Sequence, residues 1–118
     1  MNDATPVLAQ KRCRPCEGNL PPLAPERVLT LLPRLHPDWH LREDGRGIER
    51  VLRFRNYYQT GAFVNAVMWI AHQEDHHPDI LFGYNEARVS YTTHAIDGLS
   101  ENDFICAAKV DALFPADE

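Results

Sequence analysis

The run Glu74-Asp75-His76-His77-Pro78-Asp79 places two imidazoles side by side, between carboxylates and directly before a proline. Adjacent side chains point in different directions on any regular element, so this is not a ligand pair on one face. His72 and His94 complete the set of histidines that need an account. Three readings compete for them. A metal site draws on His72 and His76, four apart as on a zinc-binding helix, with His94 as a third ligand. Against it, Gln73 follows the first histidine where the zinc-protease pattern requires glutamate. A structural reading uses the favourable interaction of histidine with the negative end of a helix dipole, which accounts for His76 or His77 alone. An acid–base reading takes His94 at the end of a hairpin that follows the pair and returns the chain towards it. Three imidazoles converging without metal suit proton transfer near neutral pH on a compact ligand. Nucleophilic chemistry has less to stand on. Ser90 lies in a strand without an elbow motif, no cysteine is near in sequence, and no glycine-rich phosphate cradle is present.

The cysteines number three, an odd count that makes no disulfide framework. Cys13 and Cys16 form a C-x-x-C without a second pair at matching spacing, and a redox motif should open a helix after a strand. Pro15 and the later "GNLPPLAP" indicate an irregular segment instead, so a reduced pair in a mobile extension is favoured over a metal site. Cys106 falls in an apolar helical stretch and reads as packing.

The elements that must position the histidines follow from periodicity. Residues 1–23 are proline-rich and aperiodic, the pattern of a flexible N-terminal tail, leaving 24–118 as a single domain. Pro25 suits the first turn of a helix whose apolar face is Val28, Leu29, Leu31, Leu32 and Leu35, and Pro33 should end or distort it. Trp39 and Leu41 begin a short strand, "EDGRG" signals a hairpin, and Ile48, Leu52 and Phe54 alternate with Glu49, Arg53 and Arg55. From about Tyr58 to Asp75, Phe63, Ala66, Val67 and Ile70 form one helical stripe, which Pro78 bars from continuing. Strands at about Ile80–Tyr84 and Ala87–Thr93 follow, then a helix from Ser100 with the capping-box start "SEND". The expected fold is α+β, a four-stranded antiparallel sheet with three helices on one face, in the order α-β-β-α-β-β-α. The last helix carries an apolar stripe (Phe104, Ile105, Ala108, Ala112, extended by Cys106, Val110 and Leu113) wider than one sheet requires, so a homo-oligomer is expected, assembled by this helix or by a sheet edge.

Bulk properties narrow the function classes. A chain of 118 residues with 44% hydrophobic and 25% charged residues is ordinary for one globular domain. The formal net charge of −5 and scattered basic residues argue against direct nucleic-acid binding. No apolar run approaches a membrane span and no secretory signal is evident, so a cytoplasmic protein is expected.

Taken together, "EDHHPD", "GYN", "YTTH" and "GLSENDF" resemble the pterin-4a-carbinolamine dehydratases. The family pattern has His-His-Pro after a helix, an aromatic residue further on, Ser/Thr-Thr-His, and a Gly-Leu-Ser/Thr-x-x-Asp helix start. It is met here by His76-His77-Pro78, Tyr84-Asn85, Thr92-Thr93-His94 and Gly98-Leu99-Ser100 with Asp103, over roughly Ala24 to Leu113. The C-x-x-C segment and the "NDFICAAKVD" ending resemble the bacterial branch that partners phenylalanine hydroxylase. The resemblance implies dehydration of 4a-hydroxytetrahydrobiopterin to quinonoid 6,7-dihydrobiopterin and water, without metal or cofactor. It implies His76, His77 and His94 as catalytic residues, with Asp75, Pro78, Thr92 and Thr93 seating the pterin and Asp103, Tyr84 and His72 in supporting places. Asp103 also reads as a helix-cap residue, the favoured role. It further implies a homodimer or homotetramer and a functional link to phenylalanine hydroxylase. Alternatives within the resemblance are a protein-binding coactivator-like module and a pterin-handling role in molybdopterin metabolism. Two positions depart from the pattern: His72 stands where relatives have glutamate, and Ile80 where they have an aromatic residue.

Overall fold

The structure, a computed structural model, describes residues 8–15 and 20–114. Helix α1 (Pro25–Leu31) opens with proline in its first turn and passes into a 3-10 turn at Leu32–Arg34, where Pro33 breaks the α-helical ladder. Strand β1 (His40–Leu41) pairs with β2 (Ile48–Arg53) across a tight turn in which Gly45 adopts φ 72°, a left-handed conformation that favours glycine. Helix α2 (Tyr57–Glu74) is capped by Asn56, whose Oδ1 accepts from the Gln59 N–H at 2.9 Å. Strands β3 (Asp79–Phe82) and β4 (Glu86–Tyr91) form a hairpin closed by Gly83 N–H donating to the Glu86 carbonyl. Helix α3 (Glu101–Asp111) ends the described fold.

The sheet is wholly antiparallel with strand order β1-β2-β4-β3, so the two hairpins meet along β2 and β4. Its register pairs Ile48 with Tyr91 and Leu52 with Ala87, which places these residues and Val89 on one buried face. The partners Glu49, Ser90 and Asp79 share the opposite face. Phe63, Val64, Val67 and Ile70 of α2 are buried, as are Phe104 to Ala108 of α3, in one core cluster with the strands' inner residues. The α+β architecture and element order are those expected from the periodicity.

Arg50 has the same parity as Ile48 and Leu52 and points into this core. Asp111 receives it, with Arg50 Nη1 2.6 Å from Asp111 Oδ1, while the same carboxylate accepts from Trp39 Nε1 and from the His36 N–H. A buried cation is thus matched by a carboxylate at the end of α3.

Two expectations are corrected. Residues 1–23 are expected to form a flexible tail without a periodic apolar face, yet within the described segment 8–15 Leu8 is 1% exposed and belongs to the core cluster. Its backbone is also fastened: Cys13 N–H donates to Glu74 Oε1 at 2.8 Å, while Arg14 donates to Asn102 Oδ1 and accepts from Asn102 Nδ2. A single leucine carries no periodicity, so it left no signal against a proline-rich background. The wide stripe of the last helix has the same explanation. Ile105, Cys106, Ala107 and Val110 are buried within this chain, and Leu8, Ala9 and Cys13 pack in the same cluster. The stripe therefore needs no second subunit. Cys16 lies outside the described residues, and with it the expectation of a reduced Cys13 and Cys16 pair.

Candidate active site

Helix α2 stops at Asp75, which takes φ 53°, ψ 44° as a left-handed C-cap. That reversal swings the following residues off the helix axis, and Pro78 keeps them extended before β3 begins at Asp79. His76 and His77 therefore stand on a short connector. The other wall comes from the end of β4. Thr92 and Thr93 leave the ladder after Tyr91, Thr93 bridges to Gly98, and His94–Ile96 form a 3-10 turn between them. His94 was expected at a strand end and instead opens this turn. Glycine is required at 98, because a Cβ there would meet the Pro22 ring at 2.8 Å.

These two connectors and the docked N-terminal segment enclose a cleft of about 450 Å³. His76, His77 and His94 line it, with Asp75, Thr92 and Thr93. Cys13, Arg14, Pro15 and Asn102 form its other side. Pro78, His72, Tyr84 and Asp103 are not among the lining residues. His72 is exposed on α2 and its ring lies 5.2 Å from that of Trp69. Tyr84 is 64% exposed at the tip of the hairpin, its carbonyl accepting from the Thr60 hydroxyl.

Asp103 sits behind the cleft, fully buried, and both its oxygens are engaged. Oδ2 accepts from the Ser100 N–H at 2.9 Å, closing the capping box of α3, and from the Thr93 hydroxyl at 2.8 Å. Oδ1 lies 2.6 Å from His76 Nε2. The cap role read from sequence is present, and the contact with His76 is added to it. With Asp103 as a carboxylate, the shared proton resides on Nε2 and leaves the lone pair of His76 on Nδ1. The imidazole is also held in plane. Tyr91 lies parallel to it, at 5° with centroids 6.0 Å apart, and burial pushes the Tyr91 phenol well above its ordinary range, so it stays neutral. His76 is the shielded member, its side chain 11% exposed, whereas that of His77 is 69% exposed with Nε2 4.0 Å from Asp75 Oδ1.

Glu74 was not singled out from sequence. Its carboxylate is buried between α2, the N-terminal segment and Lys109 of α3. Burial alone would raise its pKa, but the Cys13 N–H, Lys109 and Arg12 overcome that and hold it below the usual carboxylate range. No sequence signal marks it, because its partners are 35 to 62 positions away.

The fold and site define a class of small α+β domain in which three histidines line one cleft and one of them is hydrogen-bonded to a buried carboxylate. Comparison with known proteins narrows the class. The pattern of the family described as pterin 4 alpha carbinolamine dehydratase matches residues 21–113, and the chain belongs to that family. A Nitrosomonas eutropha protein carrying the provisional name pterin-4-alpha-carbinolamine dehydratase is 61% identical over 106 residues, covering 90% of this chain and 92% of its own. A Legionella pneumophila protein with the same provisional name is 51% identical over 109 residues, covering 92% and 96%. Among solved structures, a transcriptional coactivator/pterin dehydratase from Brucella melitensis superposes with a TM-score of 0.74 at 26% identity, over 78% of this chain and 97% of that one. A pterin dehydratase-like protein identified as a RuBisCO assembly factor in the alpha-carboxysome gives 0.58 at 28% identity, over 66% and 90%.

Proposed function

We propose that this chain is a hydro-lyase that removes water from 4a-hydroxytetrahydrobiopterin, giving quinonoid 6,7-dihydrobiopterin. The observation that carries the reading is the meeting of His76, His77 and His94 on one cleft, with His76 fixed from behind by Asp103. Loss of water needs a proton delivered to the hydroxyl leaving carbon 4a and one withdrawn from ring nitrogen 5. His76 exchanges protons through Nδ1, the nitrogen that Asp103 leaves free, and the carboxylate stabilises the imidazolium formed when His76 accepts one. His77 and His94, from the same connector and the opposite turn, serve the complementary transfer. Asp75, Thr92 and Thr93 seat the ring, and Pro78 acts through the backbone by holding the connector extended. The product returns the pterin to an aromatic amino acid hydroxylase such as phenylalanine hydroxylase, in the cytoplasm.

The test is the decay of 4a-hydroxypterin absorbance, corrected for spontaneous dehydration. Turnover of His76→Ala, His77→Ala and His94→Ala should each fall roughly tenfold or more with smaller changes in KM, and combined effects should be less than additive. His72→Ala should do less, because His72 does not line the cleft. A chelator should leave the rate unchanged. Chelator sensitivity, together with equal damage from His72→Ala and His76→Ala, would sink the acid–base assignment in favour of metal.

Self-association is a second reading that one observation favours. Tyr58, Met68 and Trp69 are exposed on α2, and Leu81 and Phe82 on the edge strand β3. A homodimer or homotetramer through these surfaces keeps the sheet-edge contact expected from sequence and drops the last-helix one, whose stripe is buried within the chain. Light scattering that shows a monomer at micromolar concentration would remove it.

A further inference from the structure

Two sulfurs 93 positions apart in sequence meet behind the histidine cleft: Cys13 Sγ lies 3.5 Å from Cys106 Sγ. Cys106 is fully buried in the middle of α3, while Cys13 is half-buried on the segment that crosses it. That segment is held by polar contacts on both sides of Cys13. Glu74 takes the Cys13 N–H and Arg12 Nε, the latter at 3.1 Å, and Asn102 makes two hydrogen bonds with the backbone of Arg14. Cys13, Arg14 and Pro15 then line the cleft shared with His76, His77 and His94. The conformation of one cleft wall thus depends on contacts centred on this sulfur pair.

We propose that Cys13 and Cys106 are a dithiol–disulfide site whose oxidation covalently fixes residues 13–15 as a wall of the histidine cleft. Bringing the sulfurs to a bond length of about 2.05 Å takes a small movement, and Cys13 lies outside any regular element that would resist it. The oxidant is a low-molecular-weight disulfide of the glutathione type. The Cys13 thiolate attacks one of its sulfurs, forming a mixed disulfide and releasing one thiol. Cys106 then displaces the second thiol, its own proton passing to the departing sulfur. Two protein thiols are oxidised to one disulfide as one small disulfide is reduced to two thiols. The order follows from the surroundings: the hydrogen bond with Cys13 and burial both push the Cys106 thiol up, so Cys106 serves as the resolving sulfur and not as the first attacker.

The full-length protein is incubated with oxidised glutathione, alkylated, and digested without reduction for peptide mapping by mass spectrometry. A cross-linked pair containing Cys13 and Cys106 is expected, and it should form equally in Cys16→Ser and not in Cys13→Ser. Oxidation should raise Tm by about 10 °C, reversibly with dithiothreitol, as expected for closing a long loop. Amide exchange at Cys13 and Arg14 should slow roughly tenfold or more, because local opening of the segment is then restrained. A cross-link between Cys13 and Cys16, glutathione retained on Cys13 with Cys106 still alkylatable after unfolding, or unchanged amide exchange in the oxidised protein would each overturn the proposal. None of these readouts depends on dehydratase activity.

Discussion

Replacing Asp103 with asparagine separates its two duties. In Asp103→Asn the side-chain oxygen can keep accepting from the Ser100 N–H and the Thr93 hydroxyl, the contacts now made by Oδ2. The amide nitrogen then faces His76 Nε2, where Oδ1 stood at 2.6 Å. An amide donor there requires Nε2 to accept, which moves the imidazole proton to Nδ1 and removes the lone pair from the nitrogen proposed for exchange. A hydrogen bond to a charged group contributes about 1.5–3 kcal/mol. At about 1.4 kcal/mol per factor of ten, its loss in the transition state lowers kcat roughly tenfold to a hundredfold. KM should change little, because Asp103 does not line the cleft. The cap survives in large part, so Tm should fall by only about 5 °C, corresponding to about 1 kcal/mol. Stopped-flow decay of the 4a-hydroxypterin gives kcat and KM separately, and a circular dichroism melt gives Tm. An unchanged kcat with a lowered Tm would refute the orienting role and leave Asp103 as a cap alone. A raised KM with unchanged kcat would move it to substrate binding.

Leu8→Ala should destabilise the fold by about 2–5 kcal/mol in urea denaturation, the range for emptying a buried leucine site, whereas a free tail would give no change. Acid should loosen the N-terminal segment through Glu74. Its folded pKa is depressed below the 4.5 of a free carboxyl, so its contribution is fully present above that value and is lost as pH falls through the folded pKa. Glu74→Gln should therefore be less stable than wild type at neutral pH, with the gap closing in acid. A gap that stays constant down to about pH 3 would count against the ionised carboxylate as the anchor.

Much of the fold was legible because it rests on local rules. The stripe of Phe63, Val67 and Ile70, the alternation of β2 and the Ser100–Asp103 cap each lie within one element, where spacing alone selects the buried face. Strand ends were less legible: β3 and β4 were expected to run to Tyr84 and Thr93 and stop at Phe82 and Tyr91. The hairpin closes earlier through Gly83 and Glu86, and Thr93 turns away to pair with Gly98. Parity likewise places Arg50 on the inner face, but its acceptability there depends on Asp111, 61 positions away.

The site divides in the same way. By themselves, residue types and order determined that three histidines flank a hairpin and that the helix ends before the pair, and they pointed to the proton-transfer chemistry proposed for it. Those features are written in short motifs, since adjacent residues and turn formers act over a few positions. Tertiary structure alone decided that Asp103 reaches His76, that Glu74 and Asn102 hold the N-terminal segment, and that Cys13 meets Cys106. These partners are 27 to 93 positions apart. A buried polar group must find its partner wherever packing brings one within hydrogen-bond range, and sequence spacing carries no record of that distance.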